Sequence, residues 1–251
     1  MKNFKSINGF TLIELSIVLA IIGLIISGII SGQKIVRNAQ IQRILRDYDK
    51  YKTAIMVFKG QYEQLPGDID NAYTYWGSNC AASNSDCNGD GNGSIQYSNS
   101  YLDDETLRMW QHLSLSGILS ETYSGTGSTI GGGEVKAGYN VPQSGCPACG
   151  FAVSYTQSFG FSEQGMMYGK EYPGSWQSSG AVTPAEAYAI DKKIDDGNAG
   201  TGKLFTIRGD DFFGNSTACI DKDYNGTTPV TYILSDPKTS CRLMLWLFKL
   251  S

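Results

Sequence analysis

Glu14 is the one ionisable side chain in an apolar run from Phe10 to Gly32. A carboxylate in such a run is costly to place in a membrane, so it is a functional candidate that needs a cationic partner. One available partner is an α-amino group created by cutting the chain between Gly9 and Phe10. The alternative is that Glu14 lies at the membrane interface, or only adds a favourable negative charge to the first turn of the helix.

Cys146 and Cys149 have the two-residue spacing of thiol–disulfide oxidoreductases. Redox chemistry would need a strand before the pair and a helix after it, with the first thiol at the helix N-terminus. Gly145 precedes the pair and residues 150–153 read Gly-Phe-Ala-Val, a pattern typical of a turn that enters a strand. The pattern therefore favours a structural disulfide, or pairing with other cysteines, over a membrane-anchored thiol oxidoreductase.

Residues 86–95 alternate oxygen-bearing side chains with glycines, a pattern that can curl around a hard cation such as calcium, as an EF-hand-type loop does. In one register the ligands would be Asp86, Asn88, Asp90 and Asn92. A second register begins two residues later. In neither register is the twelfth residue the usual glutamate, so binding would be weak unless an acidic side chain from residues 103–105 folds back. A turn rich in Asn and Gly that binds no ion explains these residues equally well.

The sequence offers little else for catalysis. His112 is its single histidine, and a lone histidine beside Trp110 is more typical of a packed or surface residue than of a catalyst. No phosphate-binding loop, zinc quartet or nucleophile elbow is present in the sequence. We therefore do not expect an enzyme.

The apolar run that carries Glu14 predicts a long helix. Residues 10–32 would form about 34 Å of helix, enough to span the hydrocarbon core of a bilayer. The run is longer than the core of a secretory signal peptide. Residues 33–60 continue it with apolar side chains mostly three and four apart. The first half is apolar all round and must be buried in lipid or among helices, whereas the one-sided second half needs a sheet to cover it.

The rest of the chain predicts an α+β domain with long Gly-rich loops. Residues 64–68 end the long helix, and Asp68 is expected to cap a short helix that runs to Trp76. Further helices are expected at 104–113 and at 183–194, the second with a capping signal at its start. Strands are expected at 151–155, 167–169, 204–208 and 242–248. An aggregation-prone tail is the alternative for the last of these.

Composition restricts the compartment and the partners. Thirty glycines and fifteen tyrosines indicate a loop-rich domain that contains β-structure. The formal net charge is −4, and loss of residues 1–9 with Lys2 and Lys5 would change it to −6. An acidic chain has no electrostatic footprint for non-specific nucleic-acid binding. Six cysteines fit an oxidising compartment outside the cytoplasmic membrane.

Residues 1–32 resemble the prepilin-type N-terminus of type IV pilins and of type II secretion pseudopilins. A short basic leader ends at Gly9, and Phe10 opens the sequence Phe-Thr-Leu-Ile-Glu-Leu at the start of the apolar run. In that family a prepilin peptidase cuts after the glycine and methylates the new N-terminal residue. The glutamate five residues into the mature chain pairs with a neighbour's N-terminus. The resemblance thus implies processing at Gly9 and Phe10 and an assembly role for Glu14.

The same resemblance implies how the chain is divided and where it goes. Residues 1–9 would be the leader, 10–32 the transmembrane and filament-core helix, 33–60 its amphipathic continuation, and 61–251 the extracytoplasmic pilin-like domain. The helix would cross the inner membrane once, with the N-terminus in the cytoplasm and the domain in the periplasm. The partners would be prepilin peptidase, other pilin or pseudopilin subunits and the assembly platform. The remainder resembles Gly-rich pilin-like proteins more loosely, through residues 65–68 and 110–113.

The resemblance leads to a structural function with one open alternative. The subunit would enter a type IV pilus or a type II secretion pseudopilus. The alternative is a minor pilin or surface adhesin, because the domain is larger than a filament subunit needs. Calcium is the one candidate ligand.

Six cysteines allow fifteen disulfide connectivities. We expect the pairs Cys80–Cys87, Cys146–Cys149 and Cys219–Cys241. The last pair would close a C-terminal loop, as is common in pilins.

Overall fold

The computed structural model of the chain describes residues 11–96, 105–127, 135–156, 163–172, 179–209, 218–221 and 230–249. The chain forms two compact units, residues 1–42 and 43–251. The first unit contributes the N-terminal part of a long helix. The second contains the end of that helix, four strands and the other helices described below.

The helices are α1 Leu12–Tyr62, α2 Ala72–Trp76, α3 Asn84–Cys87, α4 Glu105–Leu115 and α5 Pro184–Ile194. A 3-10 turn, Gly77–Asn79, follows α2. The strands are β1 Cys149–Thr156, β2 Glu163–Lys170, β3 Leu204–Arg208 and β4 Cys241–Lys249. The fold is therefore α+β and pilin-like, with a long N-terminal helix packed on an antiparallel sheet.

Helix α1 is continuous over 51 residues. It ends at Tyr62, ahead of Pro66, because Glu63 takes a positive φ of 62° and leaves the helical conformation. The predicted end at residues 64–68 is thus only slightly late.

The four strands form one antiparallel sheet in the order β1-β2-β4-β3. The C-terminal run expected to be a strand is β4, and it lies between β2 and β3. Both sets of alternating side chains on β4 are buried, since Leu243 and Leu245 on one side and Met244 and Trp246 on the other are each less than a tenth exposed. Burial on both faces explains why residues 243–248 of this strand are all apolar instead of alternating.

The C-terminal part of α1 packs against the domain through aromatic side chains. The Tyr51 ring lies edge-on to Trp110 of α4 and Phe151 of β1, with centroid distances of 5.1 Å and 5.6 Å. The Tyr48 hydroxyl donates a hydrogen bond of 2.9 Å to the carbonyl of Trp246. The one-sided half of the helix is thus covered by a helix and a sheet together from Ile44 onwards, whereas Ile35 and Val36 at its start are exposed.

Local capping signals have different outcomes at two helices. At α5 the Thr183 side chain accepts from the Glu186 N–H, and the Glu186 side chain accepts from the Thr183 N–H, so the expected capping box is present. Helix α2 instead begins after Asn71 with no side-chain cap. The expectation that Asp68 caps α2 is wrong, because Asp68 is buried and accepts a hydrogen bond from the Gly93 N–H.

Three disulfides join the pairs Cys80–Cys87, Cys146–Cys149 and Cys219–Cys241. These are the pairs expected from the sequence. The first closes the segment between α2 and the loop that follows α3. The third ties residues 218–221 to the start of β4.

Candidate assembly helix and the motif at its start

The first half of α1 exposes apolar side chains on every side. Leu12 is 89% exposed, Leu24 76% and Ile35 70%. The other large apolar side chains exposed here are Ile13, Leu15, Ile17, Val18, Leu19, Ile21, Ile22, Ile25, Ile26, Ile29, Ile30 and Val36. Among the described residues, α1 is the one helix that is long and apolar enough to cross a membrane. Such a surface requires lipid or other helices around it.

Glu14 lies in the first turn of α1 and forms a reciprocal cap with Thr11. The backbone N–H and the hydroxyl of Thr11 each donate to Glu14 Oε2 at 2.8 Å. The Glu14 N–H donates in turn to Thr11 Oγ1 at 3.3 Å. This is a capping box, visible in the sequence as Thr-x-x-Glu, which our reading of Glu14 as an isolated charge missed. Glu14 therefore has a local partner within the single chain.

The predicted processing residues Gly9 and Phe10 lie outside the described residues. The first described residue is Thr11, directly before α1. The helix thus begins close to the predicted cleavage bond, at the end where Glu14 is located.

The Cys146–Cys149 pair lies in a turn and not at a helix. Cys149 is the first residue of β1, and the residues after it are strand. The Tyr168 hydroxyl donates to the Ser144 carbonyl at 3.1 Å, which holds the turn against β2. The strand–turn–helix context of an oxidoreductase motif is therefore not present around this pair, and its geometry is that of a structural disulfide.

His112 is buried in the domain core and is fully hydrogen-bonded. Its Nδ1 accepts from the Gly67 N–H at 3.0 Å, so Nε2 carries the proton and donates to the Cys87 carbonyl at 3.0 Å. Burial, followed by the positive charge of Arg108, lowers the pKa of His112 to about 3. The neutral ring joins the turn after α1 to the end of α3, so His112 is a structural residue.

His112 should make the domain sensitive to acid. Its folded pKa of about 3 lies below the ordinary value of 6.5, so its contribution to stability is complete above pH 6.5 and is lost as pH falls towards 3. Between pH 7 and pH 5 the loss should be about 2 kcal/mol. In urea unfolding, we expect the free energy of unfolding of the wild type to fall by this amount between pH 7 and pH 5. The fall should be absent in His112→Asn, which keeps an acceptor near Gly67 but has no imidazole to protonate. Equal pH dependence in the two proteins would contradict the assignment.

Each of the four predicted calcium ligands has hydrogen-bond partners within the chain. Asp86 lies in α3 and accepts a hydrogen bond from Ser83, and the Asn88 side-chain oxygen accepts from the Tyr73 N–H. Asp90 accepts from the Asn92 N–H and side-chain amide, while Asn92 turns its own oxygen to Ser94. Of the predicted acidic ligands, Asp90 alone lies in a cluster of carboxylates, with Asp68 and Glu105. Of the acidic residues at 103–105, Glu105 reaches this loop, where it accepts a hydrogen bond from the Asp90 N–H.

One comparison with known proteins finds a match at this helix. A family model described as the prokaryotic N-terminal methylation motif matches residues 4–30. No curated protein and no solved structure matches the chain significantly. The matched range contains Gly9, Phe10, Glu14 and most of the apolar run. At the start of a pilin-like α+β fold, this chain therefore carries the prepilin motif of type IV pilins and pseudopilins.

Proposed function

We propose that the chain is the precursor of a structural subunit of a type IV pilus or a type II secretion pseudopilus. The observation that carries the proposal is the exposed apolar surface of residues 12–36, directly behind the methylation motif. A surface of this kind is stable in a bilayer or among other helices, but not in water. A pilin precursor occupies both environments in turn: it is first inserted in the inner membrane and then packs among the helices of the filament core.

Processing would create a positively charged partner for Glu14, which the precursor does not have. Cleavage between Gly9 and Phe10 by prepilin peptidase leaves an α-amino group four residues before Glu14, and the same enzyme methylates it. In a filament core this group on one subunit would lie next to Glu14 of a neighbour. Pairing would remove the cost of an isolated carboxylate among apolar helices and would set the axial register of the subunits.

The remaining features support a subunit whose domain lies outside the cytoplasm. Three disulfides persist in an oxidising compartment and not in the reducing cytosol. The basic residues of the leader, Lys2 and Lys5, favour a cytoplasmic N-terminus, although Lys34 and Arg37 beyond the apolar run weaken that preference. We place the domain in the periplasm before assembly.

Intact-mass spectrometry of the protein purified from membranes tests the proposal. We expect a mass that corresponds to loss of residues 1–9 and gain of one methyl group on Phe10. In a Gly9→Val variant the mass should stay that of the uncut chain, because a branched side chain replaces glycine next to the cut bond. A native protein that begins at Met1 and is never found with other copies would refute the proposed function.

A further inference from the structure

Three carboxylates from distant parts of the chain meet at one point in the domain. They belong to Asp68 in the turn after α1, Asp90 in the loop after α3, and Glu105 at the start of α4. One oxygen of each lies within 4.8 Å of the others. Asp68 is 2% exposed and Glu105 6%, while Asp90 is exposed at the surface. The cluster therefore has a buried floor and one side open to solvent.

One oxygen of the buried floor has no partner. Asp68 Oδ2 accepts from the Gly93 N–H at 3.0 Å. Asp68 Oδ1 is buried and accepts no hydrogen bond from a donor in the described part of the chain. A buried carboxylate oxygen without a partner is strongly unfavourable, so it requires either a proton or a cation.

The loop around the cluster is held in place by the carboxylates themselves. Glu105 Oε1 accepts from the Asp90 N–H at 3.1 Å, and Glu105 Oε2 accepts from the Gln96 N–H at 2.9 Å. At the far end of the loop, the Gln164 side chain of β2 accepts from the Ile95 N–H at 2.9 Å and donates to the Ile95 carbonyl at 3.2 Å. The carboxylate oxygens are therefore positioned by the fold before any ion binds.

The local charges do not balance. Among the residues that the structure describes, the positive group near the cluster is Arg108, which donates to the Asn88 carbonyl. Three ionised carboxylates against one guanidinium leave an excess of negative charge. A bound divalent cation would offset this repulsion.

A second acidic cluster differs from the first in its hydrogen bonds. It consists of Asp191, Asp195 and Asp196, and each of the three carboxylates accepts hydrogen bonds from the protein. Asp191 accepts from the Tyr232 hydroxyl at 2.6 Å and from the Gly197 N–H at 3.2 Å. The other two accept from backbone groups and from the Thr201 hydroxyl. Each of the three carboxylates thus has hydrogen-bond donors within the protein.

We propose that Asp68, Asp90 and Glu105 bind one calcium ion, with Asp68 Oδ1 as the buried ligand. The donors are all hard oxygens, which suit calcium or magnesium and not zinc or copper. The open side at Asp90 leaves room for the waters and irregular geometry that calcium accepts, whereas magnesium requires a near-ideal octahedron. The ion would join the turn after α1, the loop after α3 and α4, and so lock three segments of the domain. This site does not depend on the proposed filament function.

Calcium titration of the full chain in mild detergent tests this site. We expect isothermal calorimetry to give a dissociation constant of roughly 0.1–1 mM, the range of extracellular calcium modules. Calcium at about ten times that value should raise the melting temperature by roughly 3 °C above that in chelator. Magnesium at the same concentration should give a much smaller shift. No shift with calcium, or an equal shift with magnesium, would overturn the proposal.

Matched variants identify the ligands. Glu105→Gln and Asp90→Asn should each weaken calcium binding by about tenfold or more, because each removes one ligand charge. Asp86→Asn, in the same segment but outside the cluster, should bind as the wild type does. In chelator, Glu105→Gln should melt below the wild type, since the glutamine NH2 group cannot accept the hydrogen bond that one Glu105 oxygen accepts from the Asp90 or Gln96 N–H. Binding that is lost in Asp86→Asn and kept in Glu105→Gln would overturn this ligand set.

Discussion

Replacing Glu14 with glutamine is expected to leave membrane insertion intact and to lower the yield of assembled filament by roughly tenfold or more. Glutamine can still form the capping box with Thr11, because either Glu or Gln can occupy the N3 position of a capping box. It cannot pair with a charged N-terminus. The variant therefore separates the local cap, which the structure shows, from the intersubunit charge pair, which we propose.

A matched variant sharpens this test. Thr11→Ala removes the cap but keeps the Glu14 carboxylate, and it should assemble within about twofold of the wild type, because a lost cap costs little in a long helix held by its apolar surroundings. Sheared filaments quantified against total membrane protein provide the measurement. If Thr11→Ala abolished assembly while Glu14→Gln assembled normally, Glu14 would act only through its cap.

Replacing Gly89 with alanine is expected to destabilise the domain by about 3 kcal/mol or more. The new methyl group would collide with the Gly67 carbonyl oxygen and with the Asp68 backbone. Backbone atoms cannot rotate away as a flexible side chain can, and the Gly89 N–H is already bound to the Ile69 carbonyl at 2.8 Å. The two chain segments would have to separate, which would also disrupt the carboxylate cluster built on Asp68.

Gly60→Ala is the matched control for this substitution. Gly60 lies in α1 and has nothing within 4 Å of the position that a methyl group would take. Alanine should therefore stabilise the helix by about 0.5–1 kcal/mol. Urea unfolding followed by tryptophan fluorescence measures both variants, because Trp110 is completely buried. A Gly89→Ala protein with unchanged stability would show that these segments do not approach as closely as the structure places them.

The long helix was predictable because its signals are local. The apolar run, the change to one-sided periodicity after residue 32 and the absence of proline before Pro66 are all properties of neighbouring residues. The capping box at α5 and the strand character of residues 242–248 are local in the same way. The methylation motif is also a short contiguous pattern, so the family model matches residues 4–30 without reference to the domain.

The carboxylate cluster was only half predictable because its members are far apart in the chain. Asp90 was in the predicted calcium set, since the alternation of oxygen side chains and glycines around it is a local pattern. Asp68 was expected to cap a helix, because Asp is a preferred N-cap residue and Asp68 follows the turn at Pro66 and Gly67. It is buried instead because residues 67–69 pack against Gly89 and α4.

The sequence by itself determined the prepilin motif, a helix that needs lipid or other helices, and a domain with α+β composition, because each depends on residue type and short-range spacing. The tertiary structure decided which residues meet across long separations. It placed β4 at the centre of the sheet, buried His112 as a neutral structural link, and brought Asp68, Asp90 and Glu105 together. These outcomes depend on how helices and loops pack on one another, and hydrophobic burial sets that packing over the whole domain at once.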